Sequence, residues 1–504
     1  MSVTKSQLIA LGLGMAASAV AAAPPPVTDF DDAWGPRYRP GAPLRATRIE
    51  PLGSSASDAL LRWNRIAVDA SGLDHTPVET GEARTFGEQL GPGRSSRAMA
   101  IVHVAMFDAL NAITPRYRSY TGIAPARGPA APGAAIAQAA HDTLAALYPS
   151  QAPHFDEQLT IDLAAIIDHR TRSAGRSLGR RAAAAIRERR ADDGAAHAEA
   201  RLGIDYLPSD APGHWRQDPI SQSPLALGAY WSSVDPFVLE SASQFRIPPP
   251  PALDSAAYAA AFDEVQRLGG DGLTTPTERT ADQTEAGIYW AYDGTPSLCA
   301  PPRLYNQIAV QIAAQQGTGG IALARLLALV NLAMADAGVA IWESKYYYDL
   351  WRPVTGIREA DPGSGPSGAG DGNSATVGDP TFTPLGAPAS NLAGPNFTPP
   401  FPAYPSGHAG FGGALFQILR RFFRTDAIPL TFVSDEYNGI TTDNQGAVRP
   451  LLPRSFASLS TAEEENGQSR IYLGIHWAFD KTAGIAQGRR VADYVVDHAL
   501  RPLR

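Results

Sequence analysis

The sequence predicts a mainly helical protein, and three observations carry that expectation. Ala134–Leu147 is alanine-rich and almost free of helix breakers. From Ile321 to Lys345, Leu323, Leu326, Leu327, Val330, Met334, Ala337 and Ile341 recur at three- and four-residue spacing, the stripe of an amphipathic helix. Alternation of period two, the mark of a half-buried strand, is scarce throughout.

Composition sets the outer bounds. In 504 residues, 44% hydrophobic and 18% charged, disorder along the whole chain is excluded. Lys+Arg number 42 against 50 Asp+Glu, a net charge of −8, which argues against a nucleic-acid or anionic-membrane binder. The single cysteine, Cys299, excludes an intrachain disulfide and any multi-cysteine metal site. Glycine (47) and proline (43) together exceed average usage, so long ordered loops are expected.

Residues 1–23 read as an export signal. Lys5 precedes a short apolar run from Leu8, which ends in Ala21-Ala22-Ala23 before Pro24. The run is too short to span a bilayer, and no later stretch of 18 apolar residues follows. The mature chain is therefore expected to be secreted or periplasmic, without a membrane span. Residues 24–250 form an N-terminal helical half. In it Phe155–Ile167 sets Leu159, Leu163 and Ile166 at helical spacing, and the arginines between Arg170 and Arg190 read as a solvated helix face.

Pro248–Pro251 cannot be helical and separates this half from residues 251–504. There the long helix ending at Lys345 is followed by a Gly/Pro/Ser-rich loop over residues 361–404. Gly363–Gly368 in this loop fits G-x-G-x-x-G, but no strand precedes it and Pro366 interrupts it, so it is not a dinucleotide site.

Three short stretches in the last third carry the chemistry. Lys345 sits at the end of the long helix, where a cation suits the negative pole, and Arg352-Pro353 leaves it seven residues later. Pro405-Ser406-Gly407-His408 reads as a turn into a helix, with Ser406 as N-cap. Free backbone N–H groups and a glycine there would admit an anion beside His408. The third stretch runs Arg470…Gly474…His476…Asp480, after Thr461-x-x-Glu464, which reads as a capping box. On an unbroken helix Arg470 and His476 would point about 120° apart. A break near Gly474 would let both face one ligand, with Asp480 orienting the His476 ring.

Taken together, Lys-x6-Arg-Pro, Pro-Ser-Gly-His and Ser-Arg-x5-His-x3-Asp resemble the three-part pattern of the type 2 phosphatidic acid phosphatase superfamily. That superfamily includes bacterial acid phosphatases and vanadium-dependent haloperoxidases. Trp342, one turn before Lys345, and Phe401, five residues before Ser406, look like the aromatic pair of the chloroperoxidase branch. Asp282–Gly294, Pro301–Gln307 and Arg97–Ala109 look like the same subfamily.

The resemblance implies a mainly α fold of two four-helix bundles with long loops, acid phosphatase/vanadium haloperoxidase-like, with the site in the second bundle. It implies vanadate bound through His476, with Lys345, Arg352, Ser406, Gly407 and Arg470 neutralising its oxygens. His408 and Lys345 would assist catalysis, and Trp342 and Phe401 would line the halide side. Asp293 is expected to fix Arg470. Hydrogen peroxide, a halide ion and a small organic halogen acceptor are the implied partners, and hypohalous acid the implied product. The same residues also suit a phosphoesterase, with His476 as nucleophile and His408 protonating the leaving group.

Overall fold

The computed structural model describes residues 29–41 and 55–503; the expected export signal at 1–23 lies outside the described residues. The described residues open with α1 (Phe30–Trp34) and β1 (Arg39–Pro40), followed by α2 (Ala56–Asp74), α3 (Gly91–Ile113), α4 (Pro132–Leu147), α5 (Ala152–Ala164) and α6 (His169–Arg189). A long irregular segment follows, carrying the two-residue strands β2 (Ala200–Arg201) and β3 (Leu225–Ala226) and a single 3₁₀ turn at Trp231–Ser233. Helices resume with α7 (Ala256–Leu268), α8 (Ala281–Tyr289), α9 (Pro301–Gln315), α10 (Gly320–Tyr348) and α11 (Pro353–Arg358). After β4 (Leu392–Ala393) come α12 (Gly407–Phe423), the strands β5 (Leu430–Asn438) and β6 (Leu451–Phe456), then α13 (Leu459–Tyr472) and α14 (Ala478–His498).

The mainly helical expectation holds. Helices α2, α3, α4 and α6 pack as one bundle, and α9, α10, α12 and α14 as a second, with α13 laid along α12. α10 belongs to both assemblies: it packs on α3 as well as on α12 and α14. Its burial differs from the one-sided stripe expected from sequence. Every residue from Leu323 to Lys345 except Arg325 is buried, because bundles close on it from both sides. Among the described helices it alone is long and apolar enough to cross a membrane, although Arg325, Asn331 and Asp336 interrupt its apolar run. Here 94% of its most apolar window is covered by protein.

α12 and α14 cross at very close range because both present glycines at the contact. A Cβ on Gly484 would lie 2.6 Å from the Ser406 carbonyl oxygen, and one on Gly413 would lie 2.7 Å from that of Ile485. Gly488 meets the backbone of Gly410 in the same way. This contact sets the start of α12 directly over the first turn of α14, and Ser406 N–H donates to the Asp480 carbonyl at 3.0 Å.

Four further local readings are refined. The capping box of α13 is Ser458 with Thr461, not Thr461 with Glu464: Ser458 accepts from Thr461 N–H, and the Thr461 side chain answers. The antiparallel pair β5–β6 was not expected; its burial alternates, but Pro453 and a register shift after Val433 interrupt the pattern. The loop over 361–404 is ordered and partly core, with Phe382, Ala387, Leu392, Phe397 and Phe401 buried. Within the arginine cluster, Arg190 is buried, paired with Asp193 at 2.7 Å and stacked on Phe237.

Candidate active site

Lys345 lies in the last turn of α10, fully buried. Its Nζ donates to the carbonyl oxygens of Pro402 (2.8 Å) and Ala403 (3.0 Å). Burial, with Arg352 and Arg470 nearby, holds its ammonium well below the ordinary lysine range. α10 stops at Asp349, whose left-handed backbone turns the chain, and Arg352 becomes the N-cap of α11 with Pro353 at its first position.

Arg352 is fastened on two sides. Nε donates to the Phe401 carbonyl (2.9 Å) and Nη1 to that of Ile475 (2.8 Å). Nη1 also lies 2.9 Å from His476 Nε2, while Nη2 is buried without a partner. Burial lowers its guanidinium to about 9, with Arg470 adding to the effect and Asp480 opposing it.

The second stretch folds as its residue types require. Ser406 caps α12, its side chain accepting from Ala409 N–H at 3.4 Å. Gly407 follows at the first helical position, where the backbone N–H has no intrahelical acceptor. A Cβ at Gly407 would press to 3.3 Å from the Trp342 ring. His408 Nε2 donates to the Ala291 carbonyl, which leaves Nδ1 as the free ring nitrogen. Burial and then Arg470 lower the His408 imidazole to about 3, so the ring is neutral at ordinary pH.

The break expected near Gly474 is present: its φ is +71°, α13 ends at Tyr472, and α14 begins at Ala478. Any side chain there would meet the Gly269 carbonyl at 2.5 Å. His476 therefore stands just before the Trp477 N-cap. Its Nδ1 donates to Asp480 Oδ2 at 2.8 Å, and the same oxygen accepts from Trp477 N–H at 3.0 Å. This fixes the tautomer with the Nε2 lone pair turned away from Asp480. Burial, reinforced by Arg352, Lys345 and Arg470, holds the His476 ring neutral. Burial also pushes the Asp480 carboxyl up to about 7.

Arg470 is fully buried, and its Nη2 contacts both oxygens of Asp293, at 2.7 and 2.8 Å. Nε and Nη1 of Arg470 have no partner. Trp342 and Phe401 meet at 4.9 Å between ring centroids. Phe401 carries two cations on its faces, Lys345 Nζ and Arg352 Cζ each at 5.0 Å from its centre.

All eleven sequence-derived site residues thus belong to one connected cluster. Gly407, His408, Arg470, His476, Asp293, Trp342 and Phe401 line a cavity, while Lys345, Arg352, Ser406 and Asp480 stand behind its wall. Two supporting residues escaped the sequence reading. The Tyr305 hydroxyl (2.9 Å) and Asn466 Nδ2 (3.0 Å) both donate to the His408 carbonyl and pin the start of α12. Asn466 is one turn before Arg470 on α13, a spacing that offered the only sequence hint.

The arrangement concentrates three buried cations. Among the described residues neither Lys345 nor Arg352 has a carboxylate within 4.0 Å. The orphaned donors Arg352 Nη2, Arg470 Nε and Arg470 Nη1, with the Gly407 N–H, suit the oxygens of a tetrahedral oxyanion, whose central atom would take the His476 lone pair in place of Arg352 Nη1.

Comparison with known proteins gives the family and the fold. Residues 325–504 match the family model described as the VCPO second helical-bundle domain. The chain is 30% identical over 521 aligned residues to vanadium chloroperoxidase of Curvularia inaequalis, covering 88% of this chain and 82% of that protein. The fold is similar to that of the first bacterial vanadium-dependent iodoperoxidase, with a TM-score of 0.68, 23% identity and coverage of 90% of this chain and 99% of that one. It is also similar to a holo-type bacterial vanadium-dependent chloroperoxidase, with a TM-score of 0.59, 17% identity and coverage of 83% and 95%.

Proposed function

The chain belongs to the vanadium chloroperoxidase family, and from that premise we propose that it is a vanadium-dependent haloperoxidase working at the Lys345–Arg352–Arg470–His476 cluster. Halide and hydrogen peroxide, with one proton, give hypohalous acid and water; the halide loses two electrons and the peroxide O–O bond breaks.

The observation that carries the reading is the set of buried donors without acceptors around His476. An uncompensated buried donor costs about 1–3 kcal/mol, and more when charged. Three such atoms on two arginines are therefore a preorganised demand for an oxyanion. Vanadate would be held by His476 Nε2, with Lys345, Arg352, Arg470, Ser406 and the Gly407 N–H around its oxygens. Bound there, it supplies a hard, high-valent centre that activates peroxide toward halide without itself changing oxidation state.

The protein's own groups do the rest. Asp480 holds the His476 proton on Nδ1, so that Nε2 is the unprotonated nitrogen and would exchange its contact with Arg352 Nη1 for the bound anion. His408, neutral and anchored through Nε2, moves protons at Nδ1 as peroxide enters and water leaves. Lys345, held over two backbone carbonyls, places positive charge where negative charge develops. Trp342 and Phe401 keep bulk water from the halide side of the site.

The test is direct. Protein reconstituted with vanadate, then given peroxide and chloride, bromide or iodide, should halogenate a dye, and added phosphate should inhibit. Absence of vanadate-dependent halogenation with every halide, alongside phosphomonoester hydrolysis by vanadate-free protein, would replace this reading by the phosphoesterase one. Export through residues 1–23 is part of the same proposal, and N-terminal sequencing of secreted protein tests it.

A further inference from the structure

The cavity at the site extends well beyond the groups that chemistry on peroxide and halide needs. Its lining runs from the catalytic residues to side chains of the N-terminal segment, and part of it is open to solvent. One end is formed by His408, Arg470 and His476. The other is formed by Trp34, Tyr38 and Phe397, with Leu90, Leu225, Pro399 and Pro400 between.

This distal wall is built by the N-terminal segment. Asp29 caps α1, Gly35 turns the chain with a φ of +77°, and β1 pairs antiparallel with β4, Arg39 opposite Ala393. That strap lays Trp34 edge-on against Phe397 (5.1 Å, 88°) and against Tyr38 (5.0 Å, 64°). Halide and peroxide need no such surface. A flat apolar molecule does, because perpendicular aromatic walls receive a ring on its face and its edge.

The same wall has spare hydrogen-bonding capacity. The Tyr38 and Ser221 hydroxyls are both buried, at 1% and 2% residue exposure; they lie near each other, and neither makes a well-formed hydrogen bond. Behind them Asp218 is already committed to the backbone N–H groups of Ser221 and Thr398. The unmet hydroxyls therefore call for a neutral polar group rather than a cation.

We propose that this cavity binds the organic halogen acceptor, and that the acceptor is a hydroxylated aromatic of the phenol class. Its ring lies against Trp34 and Phe397, and its hydroxyl reaches Tyr38 and Ser221. The inference rests on the haloperoxidase reading and deepens it, since halogen transfer then takes place inside the protein. A ring carbon bonds to the halogen of hypohalous acid while the halogen–oxygen bond breaks. The ring then loses its proton, which joins the released hydroxide as water. An electron-rich ring suits this electrophile, and a wall that holds it in one orientation makes the product regioselective.

The experiment has a binding arm and a product arm. Phenol and anisole are titrated calorimetrically into vanadate-free protein, into Tyr38→Phe and into Ser223→Trp, which puts a bulky side chain into the cavity lining. Phenol should bind saturably and about fivefold or more tighter than anisole. Tyr38→Phe, which removes a hydroxyl that makes no well-formed hydrogen bond within the protein, should erase that preference. Ser223→Trp should weaken both ligands about tenfold or more. In the product arm, vanadate-loaded protein should brominate phenol with an ortho-to-para ratio different from that of reagent hypobromous acid, and Ser223→Trp should return it to the reagent ratio.

Bromination at the reagent ratio without saturable phenol binding overturns this inference and leaves the haloperoxidase reading standing. An unchanged phenol preference in Tyr38→Phe overturns the assigned hydroxyl contact. Saturable binding in a protein that brominates no acceptor supports the cavity and removes the haloperoxidase reading instead.

Discussion

Gly484→Ala adds one methyl group at the place where α14 supports the catalytic end of α12. Its Cβ would sit 2.6 Å from the Ser406 carbonyl oxygen, 3.1 Å from Ala409 Cβ and 3.2 Å from Gly410 N. An unstrained carbon–oxygen contact needs roughly 3.2 Å, so α12 must retreat by about half an ångström. The substitution gains up to about 1 kcal/mol in helix propensity, whereas overpacking a closed contact costs about 1–3 kcal/mol. All three neighbours belong to α12, two of them to its backbone, and none is the end of a flexible side chain, so the cost wins and net destabilisation is about 1–2 kcal/mol. The functional effect is larger, because the retreat carries Ser406, Gly407 and His408 with it. A misplacement near 1 Å costs up to about a hundredfold in rate, so roughly tenfold is expected here. Urea unfolding of vanadate-free protein and steady-state bromide oxidation measure the two effects. Gly133→Ala is the control: α4 has open space there, with Ile166 Cδ1 at 3.9 Å as the only neighbour, and it should stabilise by a few tenths to about 1 kcal/mol. Parental stability and turnover in Gly484→Ala would refute the claim that this glycine contact positions the site.

His476→Ala is expected to abolish stable vanadate binding, while His408→Ala retains vanadate and loses about 10²–10⁴-fold in turnover; equal vanadate affinity in the His476 variant and the parent would show that the ligand assignment is wrong. Asp293→Ala leaves the Arg470 charge buried and should cost about 3–5 kcal/mol of stability in vanadate-free protein, with part of that recovered when vanadate is added. Glu436, buried beside Arg449, has its carboxyl pushed up to about 7 by burial. Its proton is therefore held in the folded state after the unfolded chain has released it, and its contribution to stability is lost as pH rises from about 4.5 through about 7. Glu436→Gln should accordingly gain on the parent as unfolding is followed from pH 5 to pH 8, and a pH-independent difference would contradict the shift.

Much of the site was legible because its chemistry is written in short stretches. Lys345 with Arg352, Ser406 to His408, and Arg470 to Asp480 each combine residue types with a local device: a helix end, an N-cap, a glycine break. Such devices depend on neighbours a few residues away, so sequence spacing describes them well. The errors fell where a distant neighbour decided. Ser458 rather than Thr461 caps α13, for the chain leaves β6 at Phe456 and enters the helix at Leu459, a turn earlier than the pattern at Thr461 indicated. α10 carried an apolar stripe, but α3 on one side and α12 and α14 on the other buried its whole circumference.

Helical character, the three cationic and histidine-bearing stretches and the exclusion of a multi-cysteine metal site were determined by the sequence alone. Their convergence was decided only by the tertiary structure. The partners that orient the site are mainly backbone carbonyls, those of Phe401, Pro402, Ala403, Ile475 and Ala291, which every residue type possesses and no residue letter announces. The glycine crossing of α12 and α14 and the aromatic strap at Trp34 are likewise contacts between segments far apart in sequence. A linear pattern records which groups a chain can offer. Where their charges meet, and what they leave unpaired, depends on packing across the whole core.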